Sequence, residues 1–413
     1  MQADDYQDSV GYLQHQSTAQ IDEALITLVT TGLTAMQEAR SKFLADLQIL
    51  TEIDSPSDDK AGLDAMANQL AQLLQRVGMQ TTIVEHPRGN AIVGSIDGAN
   101  AAAPEILLLG HHDTVHPLGA AQEQARLDGK KFYGPGTVDM KAGLLQGIYA
   151  LEVLQQQHYR DFSKIHFLSV PDEEISTRYH VELIRKMAQT HPLVLGLEGA
   201  GAIGTVVTQR KGCVQYHLIA EGRAAHAGSN PENGRNAVLE LAHQIVQAQQ
   251  LADWRPGITI NAGPMRGGSK ANIVSDFAEI IFDVRFLHTE DRQAIEARWD
   301  ELLEQRIVPD VKLTLQPEPD VMAPMVATAE SLYMAQQLQM ITEQILHTPY
   351  RPETRGGASD CGTTSAAGCP SIDGLGAIGR GAHTASEYVA LPPIPSRIAL
   401  IAGLIVALTT KKA

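Results

Sequence analysis

The 413 residues predict an α/β fold: a mostly parallel sheet covered by helices on both faces, interrupted by a smaller inserted α/β unit. Short, continuous apolar runs alternate with helical patterns along most of the chain, as expected of strands buried on both faces. Near Gly204 the pattern changes to strict two-residue alternation, the sign of strands with one face open to solvent. Beyond residue 318 the first pattern returns, so the second unit is an insertion of roughly a hundred residues.

In chain order, residues 1–40 read as an amphipathic helical extension, with "IDEALITLVTTGLTAM" as its apolar part. Helical spacing recurs at 40–54 and 61–78. "EILLLG" (105–110) is a buried strand. The next helix is "MKAGLLQGIYALEVLQQ" (140–156), with Leu144, Leu145, Ile148, Leu151 and Leu154 on one side. "KIHFLSV" (164–170) is a strand, 176–189 a helix and "LVLGL" (193–197) a strand. In the insertion, "CVQYHLIAEG" (213–222) alternates. So does "SDFAEIIFDVRF" (275–286), with Ala278, Ile280, Phe282 and Val284 opposite Glu279, Asp283 and Arg285. Residues 233–250 and 294–307 have helical spacing. The expected organisation is an extension (1–40), a catalytic domain in two parts (41–210 and 319–413) and an inserted domain (211–318). "IALIAGLIVAL" (398–408) is too short to cross a bilayer and reads as a buried helix.

Composition narrows the class. Hydrophobic residues at 44% and charged residues at 19% are those of a globular protein. The net charge of −16 argues against nucleic acid or an anionic membrane as partner. Cys213, Cys361 and Cys369 are odd in number and widely spaced, which indicates neither a disulfide framework nor a thiolate zinc site. The polar, acidic N-terminus has no apolar signal core, so a cytoplasmic location is expected.

Chemistry concentrates just after predicted strands. His111 and Asp113 follow "EILLL", in a stretch "GHHDTVH" that also holds His112 and His116. Asp139 lies in "GPGTVDMKAG". Asp172, Glu173 and Glu174 follow "IHFLSV", Glu198 follows "LVLGL", and His383 lies in "GAHTASEY". The carboxyl ends of parallel strands line the ligand crevice of such a fold, so these groups would converge there. Imidazole and carboxylate donors suit zinc, and several carboxylates can hold two ions.

These motifs, in this order, resemble the M20 family of metallopeptidases and N-deacylases, and within it the glutamate carboxypeptidases. "GHHDTV", "GPGTVDMKAG", "PDEE", "LEGA", "GRAAHAGSNPENGRNAV", "GGASD" and "GAHTASEY" carry the resemblance from about residue 40 onward. It implies a zinc-peptidase catalytic domain with an inserted dimerisation or lid domain. It also implies two Zn2+ per subunit held by His111, Asp139, Glu174, Glu198 and His383, with Asp139 as the bridge. Asp113 would fix the His111 imidazole, and Glu173 would be the general base. Glu at 198 favours the carboxypeptidase and deacylase branch. His226 would reach the partner subunit's site in a homodimer. Asn272 and Arg285 would receive a substrate carboxylate, with Gly357 and Ser359 lining the pocket. The implied substrate is a small peptide or an N-acyl amino acid. His112 and His116 receive no role.

Residues 1–40 have no counterpart in the family pattern. "LQPEPD" (315–320) is acidic where some glutamate-specific relatives carry basic residues. Taken singly, the motifs have plainer readings: "DEE" as a helix start, His226 as a turn histidine, Arg285 as the partner of Asp283 or Glu279, and Cys361 as a small buried residue. A non-catalytic binding protein of this fold would be expected to lack ligands or the base, and all are present here.

Overall fold

The computed structural model describes residues 23–254, 257–319 and 321–410. The first 22 residues of the expected extension lie outside this range. Its remainder, helix Glu23–Glu38, packs through Leu25, Leu28, Val29 and Gly32 into the main core.

The central sheet has six strands in the order 80–84, 91–97, 164–170, 106–111, 193–196, 371–372. Its last four strands are mutually parallel; Ala91–Asp97 runs antiparallel to both of its neighbours. The strand Ile106–His111 is buried at every position, which is why it reads as an unbroken apolar run. One large core joins the sheet to helices Lys60–Arg76, Ala142–Gln156, Ala329–Met340 and Ile394–Thr409. Helix Ala142–Gln156 sits very close to the sheet. A Cβ on Gly143 would lie 2.1 Å from the Leu197 carbonyl oxygen, so only glycine permits this approach. A second, four-stranded sheet joins 379–380, 388–390, 131–133 and 126–128, tying the His383 segment to the Asp139 segment.

Two expectations change in detail. The helix expected over 176–189 starts only at Val181, because Ser176 and Thr177 adopt left-handed conformations (φ 68° and 49°). Helix Thr289–Leu303 begins five residues earlier than the spacing of 294–307 suggests, capped by His288.

The inserted unit has its own core. Four antiparallel strands in the order 259–267, 277–286, 212–221, 312–317 carry helices Ala237–Trp254 and Thr289–Leu303 on one face. Trp299 packs edge-on against Phe282 and tilted against Tyr216 at its centre. The alternation through 277–286 does what it predicts: Ala278, Ile280, Phe282 and Val284 are buried, and Asp283 and Arg285 share the opposite face. Strand Thr205–Arg210 pairs with Arg351–Arg355 outside this unit, and Gly212–Glu221 belongs to it, so the chain crosses over at Lys211. Among the described residues no helix is long and apolar enough to cross a membrane.

Candidate metal centre

The strand Ile106–His111 ends by delivering His111 to the floor of a cleft. Its Nδ1 faces Asp113 Oδ1 at 3.2 Å and the Asp113 carbonyl at 3.1 Å, which leaves Nε2 turned outward. That nitrogen meets Asp139 Oδ1 at 3.2 Å and Glu198 Oε1 at 3.5 Å. On the other side, His383 Nε2 meets Asp139 Oδ2 at 3.2 Å and Glu174 Oε2 at 3.3 Å. Asp139 therefore stands between two lobes and gives one oxygen to each. One lobe is His111 with Glu198; the other is His383 with Glu174. All five expected ligands are brought together, and three of them, His111, Asp139 and Glu174, place donor atoms within 4.8 Å of one another.

The charges show what the cluster suits. Three carboxylates crowd two imidazoles and draw positive charge onto them. Hydrogen bonds to Asp139 and Glu174 push His383 up to about 10. Burial lowers His111, but Asp113, Asp139 and Glu198 outweigh it and hold it well above its ordinary value. Burial raises Asp139, yet the two imidazoles keep it well below the usual carboxylate range. Nitrogen and carboxylate donors that compete for positive charge are a fitting set for divalent cations, and the shared carboxylate fits two.

Asp113 is fully buried and organises more than His111. Oδ1 accepts from Glu173 N–H (3.1 Å), and Oδ2 accepts from Glu174 N–H (3.1 Å) and the Ser57 hydroxyl (2.7 Å). One carboxylate thus fixes the imidazole and the turn Glu173–Ile175 together. Burial lifts Glu173 well above the ordinary value, with Glu198, Asp360 and Glu174 adding to the rise and His111 opposing it. A carboxyl raised in this way takes up a proton more readily than an ordinary one.

The inserted unit places its residues as follows. His226 is exposed; its neighbour Ala227 donates to the Asn272 carbonyl, and His226 bridges Ile273, so His226 and Asn272 sit on adjoining loops. Arg285 holds Asp283 through two nitrogens (2.8 and 3.3 Å) and donates its third to the Gly356 carbonyl (3.0 Å). Its fork is therefore occupied in this structure, and it links the insertion to the "GGASD" loop. Gly357 offers its carbonyl to the buried Arg210 (3.1 Å), and Ser359 donates to Asp373 (2.7 Å). Arg210 and Asp373 form a buried ion pair at 2.7 Å behind that loop. In "LQPEPD", Glu318 pairs with His217 on the open sheet face (2.7 Å). Cys361 is buried, and burial raises its thiol well above the ordinary value, which disfavours the reactive thiolate.

The two unassigned histidines now have surroundings. His112 is buried against Ser169 (2.9 Å), and burial lowers it to about 3, so it stays neutral. His116 pairs at 2.7 Å with Glu387, a residue that sequence reasoning passed over. Glu387 is 1% exposed and also accepts from the backbone N–H groups of Gly136 (2.9 Å), Val138 (2.8 Å) and Asp139 (3.0 Å). Its position in "GAHTASEY", four residues after His383, was the available signal.

Comparison with known proteins places the chain in a family. The chain is 28% identical over 392 residues to carboxypeptidase G2 of Pseudomonas sp. (strain RS-16), covering 92% of both. It is 28% identical over 268 residues to an acetylornithine deacetylase of Aliivibrio fischeri, covering 57% of this chain and 64% of that one. Among solved structures it resembles the aminopeptidase PepT of Bacillus cereus with a TM-score of 0.76 at 20% identity, over 90% of this chain and 99% of that one. The model of peptidase family M20/M25/M40 matches residues 107–407, and the chain belongs to that family of metal-dependent hydrolases.

Proposed function

We propose that the protein is a two-zinc amide hydrolase that releases a C-terminal amino acid, glutamate among the candidates, from a small peptide or N-acyl conjugate. The observation that carries this reading is Asp139 placed between the His111–Glu198 and His383–Glu174 lobes, with Glu173 beside them. His111, Glu198 and Asp139 would hold one ion; His383, Glu174 and Asp139 the other. When bound, the pair supplies Lewis acidity that lowers the pKa of water and stabilises negative charge. Glu173 takes the proton from the attacking water and later returns it to the leaving amine. The turn that bears it is held by Asp113, so the base and the His111 imidazole keep a common register. Asn272 and Arg285 orient the substrate carboxylate; for Arg285 this requires exchange of Asp283 for the substrate, one carboxylate for another.

The similarity to carboxypeptidase G2 over 92% of the chain supports the carboxypeptidase reading. An N-deacylase is the second reading, supported by the acetylornithine deacetylase relatives. The test is a panel of N-acyl and peptidyl amino acids offered to zinc-loaded protein, with free amino acid scored by mass spectrometry. Release led by glutamate or aspartate supports the first reading. Release from basic or apolar conjugates supports the second, and no release with zinc bound counts against both.

A homodimer belongs to the same proposal. Strand Thr259–Gly267 lies at the edge of its sheet, with Met265 exposed, and Leu239 and Val246 are exposed on helix Ala237–Trp254. His226 would then act in the partner subunit's site. An active monomer in light scattering would refute that role. A cytoplasmic location is the companion proposal, supported by three free cysteines.

A further inference from the structure

Glu387 and His116 lie in the same segments as the candidate metal ligands, yet the contacts described for their side chains are with each other and with backbone N–H groups. We propose that they form a positioning pair that preorganises one of the two lobes, that of His383, Glu174 and Asp139 Oδ2. The inference rests on the two-metal reading above.

The argument starts from an asymmetry. The His111 side chain is 1% exposed, and its ring is fixed by Asp113 on the nitrogen away from the cleft. It ends a strand buried at every position. The His383 side chain is 56% exposed and sits on a loop in the left-handed region (φ 64°), a costly backbone for a residue other than glycine. The side-chain partners described for its ring are Asp139 and Glu174, both of them ligands themselves. Its placement must therefore come from the loop. That loop is closed by Thr384 N–H to the Gly381 carbonyl (2.9 Å) and by Glu387 N–H to the Thr384 carbonyl (3.0 Å).

Glu387 anchors the far end of the loop, and its carboxylate grips the turn that carries Asp139. Oε1 accepts from Val138 and Asp139 N–H; Oε2 accepts from Gly136 N–H and faces His116 Nε2. In return, Gly134 N–H donates to the Glu387 carbonyl (3.2 Å). Gly136 turns the chain at φ +69°, and a Cβ there would meet Thr114 at 2.5 Å. One buried carboxylate thus joins the loop of His383 to the loop of Asp139, some 250 residues apart in sequence. Among the described residues His116 is the side-chain hydrogen-bond partner, and it orients the carboxylate so that its other lone pairs meet the three N–H groups. The His111 lobe draws on this clamp through Asp139 alone. The His383 lobe draws on it through both Asp139 and His383. Groups that orient ligands in this way commonly set metal affinity by roughly 10–100-fold.

The test is a stepwise titration of metal-free, full-length protein with Zn2+ against a chromophoric chelator, alongside the melting temperature of the metal-free form. The variants are Glu387→Gln, which sets an amide nitrogen against backbone donors, His116→Leu, which removes the side-chain partner, and His116→Gln, which keeps an N–H donor. The expected result is two equivalents for the parent. In Glu387→Gln and His116→Leu one site should be kept within about threefold and the other lowered roughly tenfold or more, with His116→Gln recovering most of the loss. Should Glu387→Gln fail to fold, the two His116 variants decide. Unchanged binding at both sites overturns the proposal. Equal weakening of both sites, in step with a fall in melting temperature, also overturns it and leaves Glu387 a stabilising residue only. A parent chain that binds fewer than two ions refutes the two-metal reading itself, and with it this inference.

Discussion

Asp113→Asn replaces one oxygen of a fully buried carboxylate, and its cost follows from four contacts. Oδ1 serves His111 Nδ1 (3.2 Å) and Glu173 N–H (3.1 Å); Oδ2 serves Glu174 N–H (3.1 Å) and Ser57 (2.7 Å). With the amide oxygen toward His111, the amide nitrogen opposes the Glu174 N–H, donor against donor, while Ser57 can rotate to accept. With the amide reversed, His111 and Glu173 lose their acceptor. Either way one backbone N–H of the base-bearing turn is released from a charge-assisted bond, worth about 1.5–3 kcal/mol. The metal-free variant should therefore unfold about 2 kcal/mol more easily, measured by urea denaturation near neutral pH. Zinc affinity should fall by roughly tenfold or more, because the His111 ring loses part of its anchor.

The effect also has a pH signature. Burial pushes Asp113 up, but hydrogen bonds from His111 and Ser57 outweigh it and hold its folded pKa below the ordinary value. The stability that this carboxylate contributes is present above the ordinary Asp pKa and is lost as pH falls through the lower, folded one. The parent should lose that increment on acidification, and the Asn variant should not. A variant that binds zinc as tightly as the parent and loses less than about 0.5 kcal/mol would refute the reasoning.

Other outcomes follow from the same geometry. Glu173→Gln should keep both metals and lower kcat by roughly a hundredfold or more with little change in KM, as read by single-substrate kinetics with metal analysis. Asp360 is buried, hydrogen-bonded by Thr177, and raised by burial to about 7 from 3.8. A raised carboxyl contributes stability below its unfolded pKa and loses it as pH rises through the folded one. Over the roughly three units involved, that is on the order of 4 kcal/mol. Asp360→Asn keeps an acceptor for Thr177, so it should stabilise the metal-free protein at pH 8 and gain little at pH 4 in melting scans. Gly143→Ala puts a methyl 2.1 Å from the Leu197 carbonyl and should cost about 1–3 kcal/mol in denaturant titration.

The parts legible in the sequence are those in which burial writes a simple pattern. Ile106–His111 and Lys164–Val170 are strands of the sheet interior; the first reads as a continuous apolar run and the second as a largely apolar one. Phe277–Phe286, with one open face, reads by alternation. Edge strands carry weaker marks. Gln80–Val84 is polar and half exposed, and Thr259–Gly267 contains Gly263 and Pro264, residues that ordinarily argue against a strand. The helix expected from residue 176 is displaced because Thr177 turns back to hydrogen-bond Asp360, a partner 183 residues away that no local period can signal. The candidate metal ligands are legible through their motifs. Glu387 has the same chemistry as an ordinary surface acid until the fold buries it under Gly136, Val138 and His116.

The closing helix has a consequence for how the chain is made. Ile394–Thr409 is buried along nearly its whole length and shares a core with Glu23–Glu38 and Ala142–Gln156. His383 lies only eleven residues before it. On the ribosome, synthesis of the first 390 residues leaves that core open and the His383 lobe without its scaffold. The inserted unit has all four strands and both helices by residue 317, and can fold well before the end of translation. The inserted unit can thus close before the catalytic half, although much of that half precedes it in the sequence. The candidate metal cleft is therefore complete only once this last helix has packed against Glu23–Glu38 and Ala142–Gln156.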